Sequence, residues 1–282
     1  MTIKNILKTN VLKIIILVFL LAGIFVPTFV SLSGRFTAAD SYYSHGFLIP
    51  FVCAYLVWRK RSKLKSLPIE PCQTGLIVLA GGLLLLIISS LLKINFGSYF
   101  SLIIVIEGLV LYLWGRKINR ELIFPIVFLI FMIPLPSVVI IAISFKMKIL
   151  AAQAASFFAN RIGILAVRDG SIIYLPNGKQ LMVGDPCSGL RSLISLLALG
   201  AIFTQFVRGS RLQKNALFIS AIPIALVSNI LRLMALVWVT YVYGEKAALG
   251  FFHDFTGMLV FVFAFLGLMF MTRVLKFKFI HE

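Results

Sequence analysis

The chain of 282 residues is 61% hydrophobic and has a mean hydropathy of +1.05, whereas only 13% of its residues are charged. Soluble domains are roughly 45–50% apolar, so this chain lacks the polar surface that a soluble globule needs. Its formal net charge of +18 does not indicate nucleic-acid binding, because Lys and Arg stand in short clusters between apolar runs rather than on one soluble face. The composition indicates an integral membrane protein.

Eight apolar runs come near the length of about 20 residues that a helix needs to cross a membrane. They are residues 11–33, 44–58, 74–92, 97–114, 121–141, 187–207, 215–240 and 254–275. The first follows three lysines as a signal peptide would, but its length and the lack of a convincing cleavage site favour a retained helix. The pattern predicts an all-α integral membrane protein of about eight transmembrane helices, with one membrane domain over residues 1–282.

The basic clusters orient these runs. They lie before the first run and after the second, fourth, sixth and eighth runs, at residues 4–13, 59–65, 116–120, 208–214 and 273–278. Cytoplasmic loops of membrane proteins carry an excess of Lys and Arg. The sequence therefore predicts a multi-pass protein of the cytoplasmic (inner) membrane with both termini in the cytoplasm.

Residues 142–186 do not fit a simple series of spans, and we expect them outside. Residues 142–160 contain four polar residues among apolar ones: Lys146, Lys148, Gln153 and Asn160. This pattern predicts an amphipathic helix in the outer interface. Apolar runs around Asp169-Gly170 and Asn177-Gly178 then predict two tight turns that join three short strands. This external β-meander is either a cap over helix ends or a lid that contacts substrate.

The segment Asp185-Pro186-Cys187-Ser188-Gly189 opens the sixth run. Proline suits a helix start and Asp185 suits its cap, which predicts Cys187 in the first helical turn. The positive end of a helix favours a thiolate, so we expect Cys187 to be the most reactive thiol and a nucleophile. The alternative is a small buried residue. Cys53 and Cys72 lack this context. The chain has no CxxC pair, so we expect no disulfide framework, no metal site and no cofactor.

Two further residues carry chemistry, Arg232 in the seventh run and His253 at the entry to the eighth. An arginine within an apolar run costs roughly 2.5–3.5 kcal/mol on insertion scales, so it persists where it faces a polar partner, unless it snorkels to the interface. A histidine exchanges protons near neutral pH, although a lone one is often an ordinary interfacial residue. Asp254 is not assigned, because adjacent helical residues do not face each other.

Depth connects these residues. At 1.5 Å per residue, Cys187, Arg232 and His253 each lie about 27–31 Å along their helices from the nearest predicted cytoplasmic charge. All three therefore reach one outer plane. Arg191 reaches almost the same plane and competes with Arg232 as the electrostatic stabiliser. Asn229 shares a helical face with Arg232.

The pattern resembles the exosortase/archaeosortase family of multi-spanning cysteine transpeptidases, and is more similar to its bacterial exosortase branch. Four segments carry the resemblance: Tyr43-Ser44-His45-Gly46 with Pro50 and Trp58-Arg59; Leu175-Pro176-Asn177-Gly178; Cys187-Ser188-Gly189-Leu190-Arg191-Ser192; and Asn229-x-x-Arg232 followed by His253. The resemblance implies that Cys187, Arg232 and His253 are catalytic. We expect Arg191, Asn229 and His45 to bind substrate, with helix packing as an equal alternative for His45.

The implied activity is cleavage of C-terminal sorting signals (PEP-CTERM-like) from exported proteins at the outer face, followed by transfer to a surface acceptor. The implied partners are proteins with a tripartite signal (a motif, an apolar helix and a basic tail), membrane lipids, and an exopolysaccharide or lipid acceptor; we expect no nucleic acid. Two other functions stay open. A lipid or polysaccharide transporter would more naturally show paired carboxylates or broken helices at mid-membrane. A non-catalytic exopolysaccharide assembly factor would tolerate replacement of Cys187.

Overall fold

The computed structural model describes residues 16–38 and 41–279, most of which are helical. The chain divides into two compact units, Met1–Leu135 and Pro136–Glu282. The single membrane domain over residues 1–282 stays a prediction.

In its described part, the first unit consists of helices, the loops between them and one isolated bridge between Glu70 and Gly115. Its helices are α1 (Ile16–Ile24), α2 (Val26–Thr37), α3 (Leu48–Arg59), α4 (Arg61–Ser66), α5 (Thr74–Leu91) and α6 (Asn95–Phe128). Helices α1 and α2 meet at a bend of 59°. Helices α5 and α6 pack with their backbones close together, since a Cβ at Gly108 would lie 2.4 Å from the backbone nitrogen of Leu79. Small residues permit such close approach between membrane helices.

The second unit combines helices with two small sheets. Its elements are α7 (Ser137–Arg161), β1 (Val167–Asp169), β2 (Ile172–Tyr174), β3 (Gln180–Met182), α8 (Leu190–Phe206), β4 (Val207–Arg208), α9 (Arg211–Tyr243), α10 (Glu245–Leu249), α11 (Phe251–Val274) and β5 (Lys278–Phe279). Helix α9 packs against α7, α8, α10 and α11. A Ser210–Gln213 capping box fixes its start, because each residue's side-chain oxygen accepts a hydrogen bond from the other's backbone N–H. The long helix therefore organises this unit.

The predicted β-meander is present as a three-stranded antiparallel sheet in the order β1-β2-β3, and its external position stays a prediction. Gly170 and Asn177 have positive φ angles of 56° and 63°, as the two predicted turns require. Ile173 and Leu181 are buried against alanines of α7 and leucines of α9. Lys179 Nζ also donates to the carbonyl oxygens of Tyr241 and Val242, at the end of α9. These contacts agree with the cap over helix ends, and contact with a substrate stays a prediction.

The number of spans differs from the prediction. Among the described residues, five helices are long and apolar enough to cross a membrane, or six when the bent α1–α2 pair counts as one. Helix α3 has 12 residues and α8 has 17, so neither reaches that length. The first predicted run falls partly on residues 1–15, which lie outside the described residues. The eight predicted spans are therefore not confirmed.

Two boundaries were predicted wrongly between residues 121 and 160. The run 121–141 is not one helix: α6 ends at Phe128, Ile133 is extended, and α7 begins at Ser137. Pro134 and Pro136 explain the break, since proline lacks the N–H that a continuing helix uses. The interfacial helix predicted at 142–160 belongs to α7, whose 25 residues also qualify as a candidate span. Its interfacial position is not confirmed.

Candidate active site

Cys187 lies in a short 3-10 turn, Asp185–Cys187, rather than in the first turn of α8. Its backbone N–H donates to the carbonyl of Gly184 at 3.0 Å. Gly189 follows in the left-handed region at φ 80°, and α8 begins only at Leu190. The prediction that Cys187 lies in the first turn of the helix is therefore wrong, because Gly189, in a left-handed conformation, separates the cysteine from α8.

Asp185 does not cap a helix, contrary to the prediction. No side-chain cap bond is present at the start of the 3-10 turn or of α8. The Asp185 carboxylate instead pairs with Lys148 Nζ of α7 at 2.7 Å, and the lysine is the more buried partner, with 18% of its side chain exposed. Asp185 thus ties the cysteine turn to α7.

Cys187 is buried, with 5% of its surface exposed. Burial raises the pKa of its thiol, and the nearby Arg232 cation opposes that rise only in part. Burial therefore does not support the expectation that Cys187 is the most thiolate-like cysteine, and its reactivity stays a prediction. Among the described thiols, the pKa is lowered at partly buried Cys72, because its thiol forms a hydrogen bond with the Thr74 hydroxyl.

Asn229 of α9 holds the cysteine turn in place. Its Nδ2 donates to the backbone carbonyl of Cys187 at 3.1 Å. Gly189 makes this contact sterically feasible, since a Cβ there would lie 2.6 Å from Asn229 Cγ. Asn229 Oδ1 is buried and has no hydrogen-bond partner among the described residues, so it keeps an acceptor for a ligand. Its predicted role in substrate binding stays a prediction.

Arg232 lies three residues further along α9 and is 9% exposed. Its Nη2 donates to the backbone carbonyl of His253 in α11 at 3.1 Å. The guanidinium group also interacts electrostatically with Cys187. Gly257 of α11 gives it room, since a Cβ there would lie 3.3 Å from Nη2. Burial within the protein favours the polar-partner interpretation over a snorkelling side chain.

His253 lies in the first turn of α11. Its Nδ1 lies 3.1 Å from Asp254 Oδ1, with 21% of the histidine side chain and 91% of the aspartate side chain exposed. The rule that excluded Asp254 from the sequence-based assignment does not hold here, because a side chain can still turn toward its neighbour in the exposed first turn of a helix. The adjacent positions of His253 and Asp254 in the sequence were the signal that could have indicated this contact.

Arg191 lies in the first turn of α8 and interacts electrostatically with Arg232. Its Nε is buried and has no hydrogen-bond partner among the described residues. Two guanidinium groups close to each other create a positive field that favours an anion. The structure therefore brings Cys187, Arg191, Asn229, Arg232 and His253 into one neighbourhood.

His45 belongs to the first unit, in the 3-10 turn Ser44–Phe47. Its ring stacks on Tyr43, with 6.0 Å between the ring centroids. The Tyr43 hydroxyl accepts a hydrogen bond from the backbone N–H of Leu135 at 3.1 Å. These contacts agree with the helix-packing alternative, and substrate binding by His45 stays a prediction.

Comparison with known families identifies the chain. The family model of the transmembrane exosortases (exosortase EpsH) matches residues 37–270. The chain belongs to this family. No curated protein and no solved structure matches it. The match covers most of the chain and includes every residue that the sequence assigned to catalysis or substrate binding.

For this exosortase-family membrane protein, the structure adds two glycines that sequence reasoning missed. Gly189 admits Asn229 and Gly257 admits Arg232. Gly189 stood inside the motif beside the cysteine, whereas nothing in the local pattern marked Gly257. A buried thiol, a buried guanidinium and a histidine paired with a carboxylate can together perform acyl transfer.

Proposed function

We propose that the chain is a membrane-embedded cysteine peptidase or transpeptidase. It cleaves C-terminal sorting signals (PEP-CTERM-like) of exported proteins at the outer face of the cytoplasmic membrane and transfers them to a surface acceptor. One observation carries this proposal: buried Arg232 interacts with Cys187 electrostatically and donates a hydrogen bond to the backbone of His253. Membership of the transmembrane exosortases supports sorting-signal processing in general.

Burial raises the pKa of Cys187, so the resting thiol is protonated and needs a base. In the proposed first step, the imidazole of His253 removes the thiol proton and the sulfur attacks the scissile carbonyl carbon. The carbonyl π electrons move to oxygen and form an oxyanion. Asp254 engages Nδ1 of His253, which assigns the proton transfer to Nε2. Arg232 stabilises the oxyanion, a contribution of about 2.7–4 kcal/mol for one such donor.

In the second step, the imidazolium of His253 gives its proton to the leaving amine, and the C–N bond breaks to leave a thioester on Cys187. An acceptor nucleophile, or water, then loses a proton to His253 and attacks the thioester carbonyl. The C–S bond breaks, and the thiolate recovers its proton from the imidazolium. Asn229 keeps the Cys187 backbone in place throughout.

The positive-inside rule supports an orientation with both termini in the cytoplasm and the site outside. In this orientation, the basic tail of a substrate stays on the cytoplasmic side while its apolar helix lies in the membrane. The motif of the signal then reaches the plane predicted for Cys187. The partners in this proposal are exported proteins, membrane lipids, and an exopolysaccharide or lipid acceptor.

The test is co-expression with a protein that carries a C-terminal sorting signal, with processing followed by a mass shift on immunoblots. Cys187→Ala should abolish processing while its amount in the membrane stays normal, because alanine removes the nucleophile and little volume. Cys53→Ala and Cys72→Ala are matched controls and should process normally. Persistent processing by Cys187→Ala would favour the non-catalytic assembly factor.

A further inference from the structure

A cavity of about 320 Å³ lies in the first unit, between the α1–α2 bend, the end of α5 and the start of α6. Its size is at the lower end of the roughly 300–1,000 Å³ typical of small-molecule sites. No residue of the cavity belongs to the neighbourhood of Cys187. The cavity therefore needs an explanation independent of the proposed peptidase chemistry.

Three buried hydroxyl groups line this cavity: Thr28, Ser89 and Ser98, which are 5%, 4% and 9% exposed. Within residues 16–38 and 41–279, none of these three hydroxyls makes a hydrogen bond. Their oxygen atoms are not enclosed by protein but open into the cavity, where a ligand can form hydrogen bonds with them. Gly97 contributes to the arrangement, since a Cβ there would lie on the hydroxyl of Ser89. The three hydroxyls are suited to donate to a ligand's oxygen atoms.

The cavity also carries positive charge. Lys93 is its one charged lining residue among those described. Helix α6 begins at the cavity with Asn95 and runs to a break at Gly115, where the backbone is not helical; no side chain caps its start. The first N–H groups of a long helix and its positive dipole end favour an anion, and a lysine adds a full charge. Hydroxyls, a cation and a helix start together match the oxygens of a phosphate group.

The surroundings of Lys93 distinguish a lipid phosphate from a phosphate ion in water. Leu91, Leu92 and Ile94 flank the lysine and are 77%, 62% and 50% exposed. Ile24, Pro27 and Leu86 give the cavity itself an apolar side. A lysine among exposed leucines is typical of a membrane interface, where the head of a lipid is polar and its chains are apolar.

We propose that this cavity binds the phosphate-bearing headgroup of an anionic membrane lipid. The phosphate lies against Lys93, Ser98 and the start of α6, and the acyl chains lie along the apolar side formed by Ile24 and Leu86. The site is distinct from the proposed peptidase site. Binding is measured without a substrate protein, so its failure and the failure of the proposed activity are distinguishable.

The experiment uses the purified full-length chain in a non-ionic detergent. Short-chain phosphatidylglycerol, diacylglycerol with the same chains, and inorganic phosphate are titrated while intrinsic fluorescence and native mass spectra record binding. We expect saturable binding of phosphatidylglycerol and at least tenfold weaker binding of the other two. Diacylglycerol lacks the phosphate group, and inorganic phosphate lacks the acyl chains. Equally tight binding of diacylglycerol or of inorganic phosphate would overturn the proposal.

Variants then assign the binding to this cavity. Lys93→Asn removes the charge and suits the lysine's positive φ of 54°, which asparagine tolerates. The double variant Lys93→Asn with Ser98→Ala should bind phosphatidylglycerol about tenfold or more weakly. Loss of one hydrogen bond to a charged group is enough for an effect of that size. Lys146→Asn, an exposed lysine of α7 outside the cavity, is the matched control and should bind normally. Unchanged affinity in the double variant, at an unchanged melting temperature, would contradict the assignment.

Discussion

Replacing Gly189 with alanine is a sharp test of how the cysteine turn is held. The residue has a φ of 80°, in the region that L-residues other than glycine rarely adopt. Its added Cβ would lie 2.6 Å from Asn229 Cγ and 2.7 Å from Asn229 Nδ2. The substitution therefore strains the backbone and pushes on the side chain that binds the Cys187 carbonyl.

The size of the effect follows from these distances. Ordinary contact begins near 3.4 Å, so the gap to Asn229 Cγ must open by 3.4 − 2.6, or about 0.8 Å. Left-handed backbone costs a residue with a Cβ roughly 1–2 kcal/mol. Loss of the Asn229 hydrogen bond adds about 0.5–1.5 kcal/mol. A displacement near 1 Å at a reacting group lowers rates by about 10²-fold. We therefore expect Gly189→Ala to fold and to process the sorting signal about 10²-fold more slowly.

The assay is the sorting-signal processing blot, normalised to the enzyme in the membrane fraction. Gly163→Ala is the matched control, because Gly163 has a φ of 88° and nothing within 4 Å of its added Cβ. That variant carries the same backbone strain without the clash and should process almost normally. Equal loss of processing in both variants would refute the argument, since strain alone would then explain it. Normal processing by Gly189→Ala would refute it as well.

Three further predictions concern the arginines, the thiols and the topology. Arg232→Lys should lower processing by about 10²–10³-fold, because lysine lacks the planar fork of donors; a severe effect of Arg191→Lys alone would reverse the assignment. In detergent at neutral pH, maleimide should label Cys72 faster than Cys187. Labelling of Cys187 should speed up at higher pH, because burial raises the pKa of its thiol. Equal labelling rates at the two cysteines would contradict this. Reporters at Asn177 should read outside, and those after three basic clusters should read cytoplasm: Lys63, Lys117 and Arg211. A cytoplasmic reading at Asn177 would remove the outward-facing site.

Local sequence patterns predicted the β-meander and two of the residues that lie near Cys187 in the structure. The β-meander has period-2 strands and turn residues within a few positions of each other, so its three strands could be predicted without long-range information. The polar residues Arg232 and His253 stood out because apolar surroundings make charge and imidazole costly. Both lie in the neighbourhood of Cys187 in the structure.

The environment of Cys187 could not be predicted in the same way. Whether Cys187 begins a helix depends on the conformation of Gly189, and that conformation is favoured by an asparagine 40 positions away in the chain. The pKa of the thiol depends on how much protein covers it, which no pattern of neighbours reports. The contact of Asp254 with His253 depends on local side-chain geometry in the first turn of α11.

The sequence by itself determined the membrane class, the family and which polar residues stand out within apolar runs. Each of these depends on composition or on residues close together in the chain, and the cost of polar groups in lipid makes such signals strong. Only the tertiary structure decided that Cys187 is buried before α8, that Asn229 and Gly189 hold its turn, and that Arg232 reaches His253. These depend on packing between helices that are distant in sequence, because burial and close approach are properties of the folded chain.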